Sequence, residues 1–272
     1  LDLLDKFSKS KSMYNLSPIR GRLDRELDTG RVARSGIRLR LATVSLESGK
    51  LRFIDEQGRF LDPPATAVDL REAIMASAGI PGIFPAVKLD AENFVDGGVR
   101  EVAPVGYVAD DPAIDTVYVV VASRLGVGPA KSILTGQVIP SFDNANAVDI
   151  ALRAAADIMP DETLLNDLYP HGGWSQNVTI IQPSLEIHDI TTIDPGLISI
   201  SMDYGFMRAA ETLDYVNAHP QFEELCKSSD EITSLRLAIW ELEHHANGRR
   251  TRYERLTDSV LVKVPDPDLL RA

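Results

Sequence analysis

The sequence predicts an α/β fold: a mainly parallel sheet with helices on both sides. Three observations predict it. Short β-branched runs alternate with amphipathic helical segments along the chain. One run, Val117 to Ala122, is apolar throughout, as expected of a central strand covered on both faces. With 272 residues, 44% hydrophobic and 25% charged, the chain has ordinary globular composition. That excludes disordered, fibrous and disulfide-stapled classes and suits one large domain, since single cores grow to about 250–300 residues.

Each element has its own signal. Leu1 to Lys11 reads as a helix. Ser17-Pro18 is a helix start, with Ser as N-cap and Pro in the first turn, and the helix runs to about Leu27. Ile37 to Thr43 alternates apolar and polar residues, so it is a strand with one buried face. Gly49-Lys50 turns it into Leu51 to Ile54, a hairpin. Ala67 to Ser77 has helical spacing and stops at Gly79-Ile-Pro81-Gly82. Phe94-Val95 then leads into Asp96-Gly97-Gly98. Ala145 to Leu168 is helical with an interruption near Pro160. Asn177 to Gln182 is β-rich, and Met202 to Ala218 is a further amphipathic helix. Beyond His219 the character changes to a charged helical stretch, Glu231 to Arg252, and an apolar piece, Val260 to Val264. This reads as an appendage packed on the domain or on a second subunit.

The net charge of −12 argues against a nucleic-acid binder, which concentrates Lys and Arg on one face. A local exception lies between Arg20 and Arg40, where seven arginines (20, 22, 25, 31, 34, 38, 40) face three acids, Asp24, Glu26 and Asp28. The functional reading is a patch for anionic headgroups or an acidic partner, and the commoner one is a solvated helix face with Arg–Asp pairing. The single cysteine, Cys226, sits at helical spacing as a packing residue and forms no internal disulfide. A reducing, cytoplasmic setting is compatible with this. No apolar run approaches the roughly 20 residues that cross a bilayer.

Several motifs fail on physical grounds. Leu125-Gly-Val-Gly-Pro-Ala130-Lys131-Ser132 ends like a phosphate loop, but Leu125 and Ala130 replace both required glycines and Pro129 removes an N–H. His244 and His245 are adjacent and diverge by about 100° on a helix, so they do not converge on one ion. Met75-Ala-Ser77-Ala-Gly79 is one glycine short of the G-x-S-x-G nucleophile elbow, whose strained strand-to-helix turn excludes a Met side chain. If Ser77 were nevertheless a nucleophile, Ser77, Asp96 and His171 would follow the chain order of an α/β-hydrolase triad.

The strongest signal is a pair of segments, Ala76-Ser77-Ala-Gly-Ile-Pro81-Gly-Ile-Phe84-Pro85-Ala86-Val87 and Phe94-Val95-Asp96-Gly97-Gly98. Read alone, Asp96 before two glycines is an acid on a tight turn where backbone approaches something closely, and a structural role suffices. Together the two segments resemble the patatin-like phospholipase family, in which A-S-x-x-x-P-x-x-F-P-P-V shortly precedes a catalytic D-G-G or D-G-A. Ala86, in place of the second Pro, departs from the pattern. The resemblance extends over roughly 1–217, from Ser17-Pro-Ile and Glu47-Ser-Gly49 to Asp203-Tyr-Gly-Phe. It leaves 218–272 as a helical C-terminal extension.

The resemblance implies a three-layer patatin-like sandwich and a serine–aspartate dyad that cleaves phospholipids or other acyl esters. Asp96 is the dyad's base, and burial should raise its pKa. The glycines after it turn the backbone so that the carboxylate faces the serine. The 272 residues contain no G-x-S-x-G and no glycine-rich loop before a first strand, and they begin at Leu1 rather than Met. The expectation is therefore an N-terminally incomplete domain that supplies only the Asp and is inactive alone. Removing the nucleophile segment would also expose a sheet edge. No metal or organic cofactor is implied. The expected partners are the lipid substrate, a transiently met membrane surface, and a second copy bound through the C-terminal helix or the sheet edge. A non-catalytic lipid-surface or protein-interaction module is the alternative.

Overall fold

The computed structural model describes residues 12, 14–130, 132, 138–143, 145–174, 177–188, 194–216 and 222–245, without the side chains of 148, 214–216, 222–227 and 244–245. The expected helix over 1–11, the piece at 260–264, and the side chains of Cys226, His244 and His245 lie outside the described residues.

The chain divides into two compact units. The first comprises 1–115 and 125–176, the second 116–124 and 177–272. In the first unit the order is α1 (Ser17–Glu26), α2 (Thr29–Ala33), β1 (Arg40–Ser45), β2 (Leu51–Asp55), α3 (Leu70–Ser77), β3 (Val87–Leu89), β4 (Glu92–Asp96), a 3₁₀ turn (Gly97–Val99) and α4 (Val105–Ala109). Then follow α5 (Ala147–Leu152), a π turn (Arg153–Ile158) and α6 (Met159–Leu168). The second unit holds β5 (Thr116–Val120), β6 (Asn177–Ile181), α7 (Pro195–Val216) and α8 (Phe222–His245).

The α/β class holds, with a correction to the sheet. The first unit's strands lie in the order β2-β1-β4-β3, every neighbour antiparallel. Among the strands of the described residues only β5 and β6 pair in parallel. The mainly parallel expectation over-weighted the rhythm of strands and helices. Gly49-Lys50 and Asp90, whose φ is +54°, instead make tight reversals, and these connect antiparallel neighbours. β5 departs from expectation in a second way. Val117 and Val119 are buried, but Tyr118 and Val120 are 54% and 76% exposed, so one face is covered rather than both.

Local sequence explains most element ends. α3 starts where the Asp69 side chain accepts the Arg71 N–H at 2.7 Å. At α1 the cap is not Ser17, which lies inside the helix. Asn15, two residues earlier, accepts the Ser17 N–H at 3.0 Å. The interruption expected near Pro160 is the π turn just before it. Pro160 has no N–H to continue the α ladder, so the preceding turn widens.

One face of the four-stranded sheet carries the core. Ile54, Phe94, Val87 and Leu89 pack with Ala73, Met75 and Ala76 of α3, and with Phe60 and Leu16. Ala73 and Ala76 are fully buried, and their small side chains let the helix lie close on the strands. Phe60 and Phe94 meet with ring centres 5.3 Å apart. On the opposite face Phe53 of β2 stacks on Tyr107 of α4 at 4.3 Å.

In the second unit α8 packs along α7 and is tied to it by polar contacts. The buried Tyr204 hydroxyl donates to Asp230 Oδ1 at 2.5 Å and accepts the N–H groups of Ser184 and Leu185. Asp194 accepts the Trp240 indole N–H at 3.0 Å, and Arg236 pairs with Asp203. The C-terminal helix therefore rests on its own chain.

Phe94→Ala should cost about 3–5 kcal/mol, because it removes a fully buried ring and leaves a cavity. Tyr204→Phe should cost about 1–3 kcal/mol, because two backbone N–H groups and a carboxylate lose their common partner. Urea unfolding of each variant against the parent chain checks both values.

Candidate functional site

Asp96 is the last residue of β4 and lies opposite Thr43 of β1 in the antiparallel register. Side chains alternate along a strand, so Asp96 shares the sheet face of Phe94, the face covered by α3. Its backbone N–H donates to the carbonyl of Gly79 at 3.1 Å. Gly79 stands just beyond the end of α3, so the A-S-x-x-x-P-x-x-F-P segment and the Asp-Gly-Gly segment meet in space through this bond.

The segment between Ala76 and Val87 folds to make the meeting possible. α3 ends at Ser77, and the N–H groups of Ile83 and Phe84 both return to the carbonyl of Ile80. Gly82 takes φ +81°, a conformation that favours glycine. Gly79 has a different reason to be glycine: a Cβ would lie 3.2 Å from the carbonyl oxygens of Met75 and Ala76. Phe84 packs against the core and against Tyr14, with ring centres 6.4 Å apart.

Close contacts also bear on the two glycines after Asp96, prohibitively at Gly97 and more mildly at Gly98. Gly97 runs so close to β1 that a Cβ would fall 2.5 Å from Ala42 Cβ and 2.8 Å from the Ala42 carbonyl. A Cβ on Gly98 would fall 3.2 Å from Asp96 Oδ1. The backbone does turn here, in the 3₁₀ turn Gly97–Val99, but neither glycine has a positive φ, so the turn's backbone angles do not demand glycine. They permit close packing against β1 and leave room around the carboxylate.

Asp96 Oδ1 accepts the Gly98 N–H at 2.8 Å and so caps the 3₁₀ turn. Burial pushes the carboxyl above the ordinary aspartate range, and this one backbone hydrogen bond only partly opposes it. Two further carboxyls flank the same loop. Asp167 of α6 accepts the N–H groups of Val102 and Ala103 at 2.8 and 3.0 Å, pinning the segment after the turn. Burial raises Asp167, and burial together with the nearby Asp167 charge raises Glu101. Sequence reading passed over Asp167 because Leu-Asn-Asp-Leu on a helix carries no signal of a partner more than sixty residues earlier.

The Ser77 alternative finds no support in this geometry. Ser77 ends a helix rather than sitting on a strand-to-helix elbow, and no hydrogen bond joins Ser77, Asp96 and His171 to one another. His171 lies in a turn after α6, next to Gly172 and Gly173, which have φ +98° and +72°. Among the described residues no group of three or more His, Cys, Asp or Glu could hold a metal ion, and no helix is long and apolar enough to cross a membrane.

A carboxyl whose pKa is raised in the folded state holds its proton more tightly there than in the unfolded chain. Asp96 therefore costs nothing below the ordinary aspartate range. It lowers stability as pH rises from that range through its own raised value, and the full cost remains above it. Asp96→Asn keeps an oxygen for the Gly98 N–H, so at neutral pH it should be at least as stable as the parent, with the advantage vanishing in acid. Thermal melts of both proteins across that pH interval check the sign. Gly97→Ala should cost about 1–3 kcal/mol through overpacking on β1, read by urea unfolding.

Comparison with protein families matches residues 1–109 to the model described as patatin-like phospholipase, so this part of the chain is similar to that family. The matched residues contain both segments and Asp96. No curated protein matched the chain.

Proposed function

From the match of residues 1–109 to the patatin-like phospholipase model, we propose that this chain is part of a lipid acyl hydrolase in which Asp96 is the general base of a serine–aspartate dyad. The observation that carries the reading is the placement of Asp96: partly buried, at a strand end, with a raised pKa and a single backbone donor. An ordinary exposed aspartate, with a pKa near 3.9, is a feeble base at neutral pH. Burial moves Asp96 in the direction that makes proton acceptance more productive.

In the proposed reaction the serine Oγ attacks the ester carbonyl while its proton passes to Asp96. The tetrahedral intermediate collapses, the C–O bond to the alcohol breaks, and Asp96 returns the proton to the departing oxygen. Water then attacks the acyl-serine, giving a proton to Asp96 and releasing the fatty acid as the proton returns to Oγ. Carbon, oxygen and proton balance without a metal or organic cofactor. The 272 residues contain no G-x-S-x-G, so the nucleophile and the oxyanion hole are assigned to sequence outside them. The patatin-like reach beyond residue 109 to about 217, with 218–272 as an extension, belongs to the same proposal.

Two measurements test it. The coding sequence upstream of Leu1 should contain G-x-S-x-G, and a protein carrying that segment should hydrolyse a short-chain chromogenic ester that the 272-residue chain leaves intact. In that longer protein Asp96→Asn should lower turnover by about 10²–10⁴-fold, the range for loss of a positioned base. Equal turnover would remove Asp96 from the mechanism, and absence of any upstream serine motif would remove the hydrolase.

A further inference from the structure

The arginine-rich stretch between Arg20 and Arg40 is not used by the chemistry around Asp96, and the structure separates its cations into two groups. Arg20 pairs with Glu72, Arg22 with Glu26, Arg38 with Asp111 and Arg40 with Glu56. Arg25, Arg31 and Arg34 form no ion pair among the described residues, and all three are exposed. The local acids are already engaged. Glu26 bonds Arg22, Asp24 lies 3.6 Å from Arg71, and Asp28 Oδ1 accepts the backbone N–H of Arg31 as the cap of α2. Three guanidinium groups without an ion pair therefore lie within ten residues of chain.

Two further features accompany them. Helices α1 and α2 contribute no buried residue. Beyond α2 the chain turns at Gly36, φ +78°, and presents Ile37 at 73% exposure between Arg34 and Arg38, with Ile19 of α1 also 40% exposed. A branched aliphatic side chain at the tip of a cationic turn suits a partner that offers negative charge above hydrocarbon. We propose that the end of α1, α2 and the turn to β1 form a docking surface for an anionic lipid bilayer, with Arg25, Arg31 and Arg34 meeting headgroup phosphates and Ile37 entering the interface.

Charge and shape favour this partner. The net charge of −12 repels a long polyanion such as nucleic acid, which would extend past the small basic face. A bilayer meets one face only, and charge farther from that face than the Debye length of about 8 Å at physiological salt is screened. A bilayer also needs no shaped pocket opposite Ile37. The proposal extends the hydrolase reading but does not rest on it, because binding is measured without turnover.

The test is co-sedimentation of the 272-residue chain with phosphatidylcholine vesicles and with vesicles that also contain phosphatidylserine. Binding should require phosphatidylserine and fall as salt is raised. Each basic residue near an anionic surface strengthens binding about fivefold, so the triple variant R25Q/R31Q/R34Q should bind about a hundredfold more weakly. Ile37→Ser should weaken binding several-fold without changing its salt dependence. Arg22→Gln, which removes an arginine already paired, should change it little. All these side chains are exposed, so unchanged circular dichroism melts should accompany the losses. Binding indifferent to phosphatidylserine, a triple variant that binds like the parent, or an Arg22→Gln loss equal to that of a free arginine would overturn the proposal. Soluble polyglutamate binding as strongly as vesicles, with no effect of Ile37→Ser, would overturn it in favour of an acidic protein partner.

Discussion

Where β4 ends, the chain passes so close to β1 that even one added carbon atom does not fit: a Cβ on Gly97 would overlap the Cβ and carbonyl of Ala42. This contact fixes the height and direction of the strand end. The Asp96 N–H is held against the Gly79 carbonyl, and so the loop leaving α3 is tied to the same point. Farther on, Asp167 holds the backbone of Val102 and Ala103. Helix α3, strands β1 and β4 and the following loop thus share one anchor, with the carboxylate beside it.

The anchor has an electrostatic cost. Capping a short turn needs only a side-chain oxygen, which Asn or Ser supplies without charge. An aspartate in that place carries a charge that burial disfavours, and the one N–H it receives offsets this only in part. Structural economy alone does not call for an ionisable group there. On the reading proposed above, proton uptake and release would supply the reason, since perturbed groups tend to gather where function outweighs stability.

Much of the first unit was legible because local signals and tertiary structure agree. The β1–β2 hairpin follows from alternation around Gly49, and α3 follows from helical spacing that begins beside a capping Asp69. The pairing of Ala76–Val87 with Asp96-Gly97-Gly98 was visible as a motif before any contact was known. Sheet direction was not legible, because a β-branched run reports burial but not the strand beside it. The turn after Asp96 was legible, but the close contacts of Gly97 and Gly98 were not, for a related reason. A glycine records that space is short, and only the neighbour, here Ala42 or the Asp96 carboxylate, tells whether a turn or a close approach demands it. Asp167 and the Tyr204–Asp230 tie depend on partners distant in sequence and leave no local trace.

The route of the chain between its two units has a practical side. The second unit takes 116–124 from the middle of the first and regains the chain only at 177. β5 and β6 are parallel neighbours separated by a long excursion that belongs to the other unit. No single cut therefore yields either unit intact. A fragment ending near 115 forfeits α5 and α6, including the Asp167 that pins the loop beyond Asp96, whereas one starting at 177 has lost the strand that β6 pairs with. Anyone seeking a minimal piece of this protein would need to splice rather than truncate, joining the chain across the excursion.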